Sequence, residues 1–504
     1  MIRGRNYLFY WFLFLSLPVL SAGEDDTAVF VIRDIEYRIN GRTKPWAIAY
    51  AVGLVEGECI EGQGALDEYI MRKTQILKNQ RVFEEAKTYI EYSLGETDAE
   101  GQIPLTLIVH AEESWNFIVL PEPKYDSNTG FFLTLKAREY NFLGTMEPLK
   151  LDFGYEQDEE ERQSLHFLLD TNLPFEALGL RWNLDFDNEF KWYFSGEPFF
   201  YKNTTGISME LPVKNTALSF GFNEAFILNE ENSDKEQEET GVIYYSGWYL
   251  SSELYAQWKI PTGLSLGYFG SLDYTPRLSW IWNYRPGGDV GSYRIGPSLN
   301  PGHSLSFSRI DWKENFRSGL EVGLENVNSF NLHKLSRDNT VSLSAVGHYP
   351  LNEWFGISSR LLGRFYFGDP NLAAGDTLRG QYDKFLNAEY MVSLNLDFPF
   401  RLIRFVPSQR LEKPKLHVFD VEVHVSPFLD AALIKGSNDA GENFDFEPGG
   451  AVVCAGLEVI VFSLRWRSFY LRLSAGWNLN EALRIGTKPG GVNQEIFIGM
   501  GHFY

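Results

Sequence analysis

From about residue 130 onward, apolar and polar positions alternate along the chain. Leu149, Leu151, Phe153 and Tyr155 alternate with Lys150, Asp152 and Gly154, and Val341, Leu343 and Ala345 alternate with Ser342 and Ser344. Val392, Leu394, Leu396 and Phe398 alternate with Ser393, Asn395 and Asp397. Phe469, Leu471, Leu473, Ala475 and Trp477 alternate with Tyr470, Arg472, Ser474 and Gly476. Successive side chains of a strand point to opposite faces, so this period of two predicts strands with one apolar and one polar face. Sixteen to eighteen such segments follow one another along the chain. Sixteen of them would leave about 23 residues for each strand with its connection, against roughly 9–11 for a tilted membrane strand.

The chain ahead of this region follows another rhythm. Residues 28–37 (AVFVIRDIEY) are rich in Val, Ile and aromatics and stop at Asn40-Gly41, which predicts a strand. Helical stretches are expected near 44–54 and 65–80. In the second, Leu66, Ile70, Thr74 and Leu77 recur at helical spacing, with Tyr69, Lys73 and Lys78 at polar or mixed positions. Strands are expected at 88–93 and 103–111, so residues 27–115 read as a compact α+β unit ordered strand, helix, helix, strand, strand.

Two architectures carry alternating strands. In a soluble sandwich the apolar face is the core; in a transmembrane barrel it faces lipid and the polar face lines the lumen. Lys136, Arg138, Lys150 and Arg472 fall inside strand segments, which suits a wet lumen, and Trp312, Trp354, Trp477 and Tyr504 fall at strand ends, where interfacial girdles sit. Short turns at 141–144 and 352–353 contrast with long hydrophilic connections at 156–162, 229–240 and 435–448, an asymmetry that outer-membrane barrels show. The expected fold class is therefore an all-β transmembrane barrel of about 16 antiparallel strands, preceded by one small α+β domain.

Composition changes this picture in two ways. Aromatic residues make up 15% of the 504 residues while mean hydropathy is −0.23, as expected when apolar residues alternate with polar ones. Residues 1–22 combine Arg3 and Arg5 with an apolar stretch at 8–20 and the small residues Ser21-Ala22, the pattern of a secretory signal peptide. Beyond it no run of 18 apolar residues occurs, which excludes a polytopic helical membrane protein. Without that segment the chain carries 43 Lys+Arg against 67 Asp+Glu, a net charge of −24, which argues against nucleic acid as a partner. The two cysteines, Cys59 and Cys454, neither build a disulfide scaffold nor show zinc-ligand spacing, and no cofactor or metal is expected.

Enzyme constellations are missing from the pattern. Residues 263–267 match GxSxG, but that motif needs a strand-to-helix elbow, and Tyr268, Phe269 and Gly270 continue a strand-like run. One internal stretch stands apart. Leu378-Arg379-Gly380-Gln381-Tyr382 lies in a connection at about 368–385, and Asn387-Ala388-Glu389-Tyr390 then opens a regular alternating strand. An arginine folded into a confined lumen needs a carboxylate partner. Asp430, within Phe428-Leu429-Asp430-Ala431-Ala432, is a candidate, and an exposed Arg-Gly turn with an unrelated strand acid is the alternative.

Taken with the N-terminal unit, these residues resemble the outer-membrane assembly and translocation superfamily of the BamA/TamA type, together with two-partner secretion transporters. Ile32, Ile35, Tyr37, Asn40-Gly41 and Thr43, then Leu77-Lys78-Asn79 with Val82-Phe83, are similar to a single POTRA domain at 27–115, which would place the outer-membrane barrel at 116–504. Pro123-Lys124-Tyr125 through Gly130, followed by residues 141–144, is similar to the start of the family's barrel. Residues 378–382 are similar to the VRGF/VRGY motif of the family's sixth outer loop, and Phe428-Leu429-Asp430 to its inner-wall FxDxG motif. Gln381 before Tyr382 and Ala432 in place of glycine depart from those patterns. The resemblance implies a lumen pair of Arg379 with Asp430, with Phe428 beside it and Glu389 as a nearby second acid. Gly499 and the terminal aromatic Tyr504 are similar to a barrel-closing signal, with His502 at a position that is usually aromatic.

Pro121 and Pro123 near the first barrel strand lack N–H donors, and Gly499 and Gly501 in the last strand offer no side chain for pairing, so the seam between 120–128 and 494–504 is expected to be weak. The resemblance implies a non-enzymatic factor of the bacterial outer membrane that inserts or translocates proteins. Its POTRA domain would lie in the periplasm, and its partners would be unfolded outer-membrane or secreted clients, outer-membrane lipid and periplasmic accessory proteins. A TamA-like insertase, a dedicated secretion transporter and an exporter remain open at this point. The alternative from another class is a passive porin-like channel, which has no need of the 27–115 unit. Finally, Arg401, Arg404, Arg410, Lys413 and Lys415 form a basic segment in an acidic chain, expected as a long turn on the periplasmic side, solvated or facing headgroups, with partner docking as the alternative.

Overall fold

The computed structural model describes residues 28–80, 82–92, 101–126, 130–157, 162–214, 216–231, 245–265, 270–288, 296–367, 372–373, 377–381, 387–437, 443–444, 446–447, 451–465, 470–482 and 494–500. The expected signal segment, Tyr382, Gly501, His502 and Tyr504 lie outside these residues.

The N-terminal unit contains β1 (Val29–Asn40), α1 (Pro45–Val52), β2 (Cys59–Glu61), α2 (Gln63–Asn79), β3 (Phe83–Tyr92) and β4 (Ile103–Glu113). Its sheet is ordered β2-β1-β4-β3, with β1 and β4 parallel and the other pairs antiparallel. The short β2 is an addition to the expected order; three residues carry too little periodicity to announce a strand. Phe30, Ile32, Ile48, Val52, Leu66, Leu77, Leu105, Leu107 and Val109 fill the core between helices and sheet. Tyr69 and Lys73, expected at polar or mixed positions, are buried in the structure. The Lys73 ammonium donates to the carbonyls of Val52 and Gly53 at the C-terminus of α1, satisfying groups a helix end leaves open, while its burial pushes its pKa down.

Three residues after β4 the barrel begins. Its first half runs through β5 (Phe117–Asp126), β6 (Gly130–Glu139), β7 (Leu149–Gln157), β8 (Gln163–Ala177), β9 (Leu180–Tyr193), β10 (Phe200–Val213), β11 (Thr216–Leu228), β12 (Trp248–Ser265) and β13 (Ser271–Tyr284). It continues through β14 (Ser298–Lys313), β15 (Phe316–Asn331), β16 (Ser336–Pro350), β17 (Gly356–Phe367), the two-residue β18 (Leu372–Ala373), β19 (Asn387–Asp397) and β20 (Phe400–Phe405). It closes with β21 (Val421–Ser437), the two-residue β22 (Asn443–Phe444), β23 (Val452–Ser463), β24 (Tyr470–Asn478) and β25 (Gln494–Met500). β20 prolongs β19 along β21, and β18 and β22 prolong hairpins, so the described residues form an 18-strand antiparallel barrel, at the upper end of the expected count.

The faces of the wall decide between barrel and sandwich. Along β21, Glu422, His424, Ser426 and Asp430 are buried toward the interior while Leu429 is exposed; on β23 and β24, Glu458, Arg472 and Ser474 point in and Leu457 and Leu473 point out. Polar groups inside and apolar groups outside suit a wall bathed in lipid, where every backbone group must be paired within a closed sheet. Turns at the end nearest the N-terminal unit are tight. Leu178-Gly179 has positive φ at both residues (58° and 72°), which matches the right-handed twist of the strands it joins.

The N-terminal unit is fastened to this end of the barrel at two places. Lys44 N donates to Gly144 O (2.9 Å) and Asn141 Nδ2 to Thr43 Oγ1 (2.8 Å) in the β6–β7 turn. Across the mouth, Asn79 Nδ2 donates to Asp311 Oδ1 (2.8 Å) and Trp312 N to Asn79 Oδ1 (3.1 Å) at the end of β14. Between these anchors α1 leans over the opening, where the Arg181 guanidinium stacks 4.2 Å from the Tyr50 ring centroid beside a cavity of about 260 Å³.

Closure is uneven. β10 and β11 pair over thirteen residues and β24 and β25 over seven, whereas among the described residues β25 meets β5 at two positions, Phe497 with Asp126 and Ile498 with Tyr125. Pro121 and Pro123 lie within an uninterrupted β5–β6 ladder, so the side they leave without N–H donors faces β25. Gly499, opposite Arg472, and Met500 run past the last position at which the described residues pair with β5. The barrel is nearly closed, with an unsealed seam.

Candidate functional site

Thr377–Gln381 folds from the connection after β17 into the lumen, and all five residues are buried. Two groups on the wall hold its first residue: Asn395 Nδ2 donates to Thr377 O (2.9 Å), and Arg360 Nη2 donates to the same carbonyl (3.3 Å). Leu378 then enters an apolar cluster with Leu362, Ala388, Met391, Ala432, Ile434, Val452 and Cys454, an apolar socket on an otherwise polar inner face. Burying a leucine in such a socket is worth about 1.5–3 kcal/mol, which helps offset the entropy of ordering the loop.

Arg379 is 1% exposed and Asp430 0%. The guanidinium grips Asp430 with Nε to Oδ2 (3.0 Å) and Nη2 to Oδ1 (2.8 Å), and the Arg379 backbone N–H adds a third bond to Oδ2 (2.9 Å). Nη1 donates to Asp397 Oδ1 (2.7 Å) and lies 3.6 Å from Glu458 Oε2. Beneath the guanidinium the Phe428 ring centroid is 3.8 Å away. This planar fork matches arginine and not lysine, whose ammonium is a compact point charge.

The next residues reach the closing strands. Gly380 N donates to Glu495 Oε2 on β25 (2.9 Å), and Asn478 Nδ2 on β24 donates to Gln381 Oε1 (2.7 Å). Gly380 has φ +99°, and a Cβ there would lie 2.6 Å from Trp477 N and 2.7 Å from Gly476 C. Gly476 answers from the wall, since a Cβ on it would lie 2.8 Å from both Arg379 C and Gly380 N. Two glycines therefore let loop backbone rest directly on strand backbone. One five-residue segment thus touches β17, β19, β21, β23, β24 and β25, including the strand at the seam.

The structure brings Leu378, Arg379, Gly380, Phe428 and Asp430 together, and it separates Glu389 from them. Glu389 sits at a register shift between Ala388 and Tyr390 on β19, and this bulge aims its carboxylate at Lys435, 2.7 Å away. The second acid is Asp397 and the third is Glu458. Asp397 was visible in the sequence as one of the polar alternating positions of its strand; nothing there distinguished it from Ser393 or Asn395. Gly499 lies on β25 facing Arg472, while Tyr382 and Tyr504 lie outside the described residues.

With this geometry in view, comparison with solved structures gives several overlaps along most of the chain. BamA from Haemophilus ducreyi lacking POTRA domains 1–3 is 13% identical, with 94% of this chain and 84% of that one covered and a TM-score of 0.40. CdiB from Acinetobacter baumannii is 14% identical, covering 94% and 74%, with a TM-score of 0.47, and CdiB from Escherichia coli is 11% identical, covering 96% and 92%, with a TM-score of 0.42. No protein-family model and no curated protein matches the sequence. At such identities and scores the likeness assigns no activity.

Proposed function

We propose that this chain is a bacterial outer-membrane factor that inserts or translocates proteins, with its N-terminal unit in the periplasm as a single POTRA-like receiving domain. The observation that carries the reading is the seam: among the described residues β25 and β5 share two paired positions where β25 shares seven with β24. So short a ladder leaves few hydrogen bonds to part. In lipid each unsatisfied backbone group costs several kcal/mol, so an edge left open there is stabilised by accepting an incoming strand.

Two further features support it. β3 is an edge strand of the N-terminal sheet, a template on which an extended client can add a strand before it reaches the barrel. The Arg379 loop is fixed to Glu495 of the seam strand, so β25 is held from inside while its outer edge stays available. A dedicated transporter would use the same parts for one client, an insertase for many.

Depletion of the protein in its native cell followed by comparative outer-membrane proteomics separates these outcomes. Loss of several barrel proteins supports insertion, and loss of one secreted protein supports translocation. An unchanged proteome with altered small-solute uptake overturns both in favour of a porin-like channel.

A further inference from the structure

The basic segment between β20 and β21 has no part in the seam or the loop. Its register shows which way its side chains face. Phe400, Ile403 and Phe405 pair with Val425, Val423 and Val421, while Arg401 and Arg404 pair with His424 and Glu422. Glu422 and His424 point into the barrel, so Phe400, Ile403 and Phe405 continue the outward, lipid-facing wall past its rim. Leu402 occupies the register shift between Arg401 and Ile403 and is itself exposed.

Exposure of this apolar strip is large: Leu402 63%, Ile403 52%, Phe405 48%, Leu411 57% and Phe419 60%. It adjoins an aromatic group in which the Phe355 and Phe400 ring centroids lie 4.4 Å apart, with Trp354 6.2 Å from Phe355. Directly beyond it, the helical turn Pro407–Arg410 is pinned by Ser408 N donating to Asp420 Oδ1 (3.1 Å). That turn and the following residues present Arg410, Lys413 and Lys415, all exposed, with Glu412 as the one acid among them. The other charges of the segment are already engaged: Arg401 and Arg404 meet Glu314 (2.8 and 3.1 Å) and approach Glu422, and His417 lies 3.7 Å from Asp420.

Along β20 the aromatic group at Phe400 comes first, then the exposed apolar strip past the rim, then the cations, so apolar and basic side chains lie together at the edge of the lipid-facing wall, as in an interfacial segment that meets acyl chains and headgroups at once. The cations stand in a chain of net charge −22, so their grouping here is local and complementary to phosphate. We propose that residues 400–419 form a docking surface for anionic phospholipid headgroups in the leaflet on the side of the N-terminal unit. Ile403, Phe405 and Phe419 enter the acyl boundary, and Arg410, Lys413 and Lys415 meet the phosphates. The site ties one sector of the barrel rim to the membrane, three strands along the wall from β25.

The full chain in neutral detergent, titrated in parallel with a phosphatidylglycerol and a phosphatidylcholine and read by native mass spectrometry, tests this. Each Lys or Arg near an anionic surface contributes about 1 kcal/mol, roughly fivefold in affinity, so the Arg410→Gln/Lys413→Gln/Lys415→Gln variant should bind phosphatidylglycerol at least tenfold more weakly. Phosphatidylcholine binding should be unchanged in that variant. Ile403→Ser/Phe405→Ser should weaken both lipids alike, and heat-modifiable migration on a denaturing gel shows that each variant is a folded barrel. Equal phosphatidylglycerol affinity in the folded triple variant and the parent overturns the proposal. So does a triple variant that keeps its lipid but loses a co-purifying protein, which would make the segment a protein-docking surface.

Discussion

Replacing Arg379 with alanine isolates the lumen latch from the rest of the barrel. The side chain makes three charge-assisted hydrogen bonds, two to Asp430 and one to Asp397, and its removal leaves Asp430 fully buried beside two other acids. Breaking a buried ion pair by removing one partner costs about 3–5 kcal/mol, mostly because the remaining charge is uncompensated. The Arg379→Ala barrel should therefore lose about that much in urea unfolding from lipid vesicles, followed by tryptophan fluorescence. Adding Asp430→Asn removes the stranded charge and should restore part of the loss, about 1–2 kcal/mol, despite the second change. Arg379→Lys should fall between parent and alanine, since an ammonium cannot reproduce the fork. A neutral Arg379→Ala, or a double variant less stable than the single by the full cost of a second core lesion, would refute the view that the latch is held by this charge pair.

Gly380→Ala should loosen the loop without altering charge, because the added methyl would collide with the backbone of Gly476 and Trp477 at a φ of +99°; hydrogen exchange at 377–381 should rise while Arg379→Ala and Gly380→Ala together add little. Asn79→Ala removes both bonds to the end of β14 and should cost about 1–2 kcal/mol of docking, read as faster protease cleavage near residues 114–116 in the folded chain. Pro121→Val with Pro123→Val supplies two N–H donors toward β25, so the seam should close further, with slower unfolding and reduced growth support in cells depleted of the parent protein.

The strand faces were legible because period two follows from backbone geometry alone, and the α+β unit because its helices repeat at 3.6. Partner choice inside the lumen was not legible in the same way. Asp397, Asp430 and Glu458 come from three strands, and what unites them on Arg379 is the register of those strands against one another. A single bulge at Glu389 shows how fragile such reading is: it redirects the acid expected as a second partner of Arg379 to Lys435. Lys73 tells the same lesson in a helix, where a residue expected at a polar or mixed position is buried and donates to two carbonyls at the end of α1. The prolines of β5 did carry their message, since a missing N–H is a property of the residue and needs no register to be read.

The central claim is that the barrel works by parting β5 from β25. Tyr125→Cys with Ile498→Cys, at one of the two positions where these strands pair, in a chain with Cys59→Ser and Cys454→Ala, places a reversible bond across the seam. Growth and outer-membrane protein levels would be measured in cells carrying only this variant, before and after reduction. Loss of support when the bond is formed and recovery when it is reduced is the predicted result. Full support with the seam demonstrably cross-linked would contradict the account.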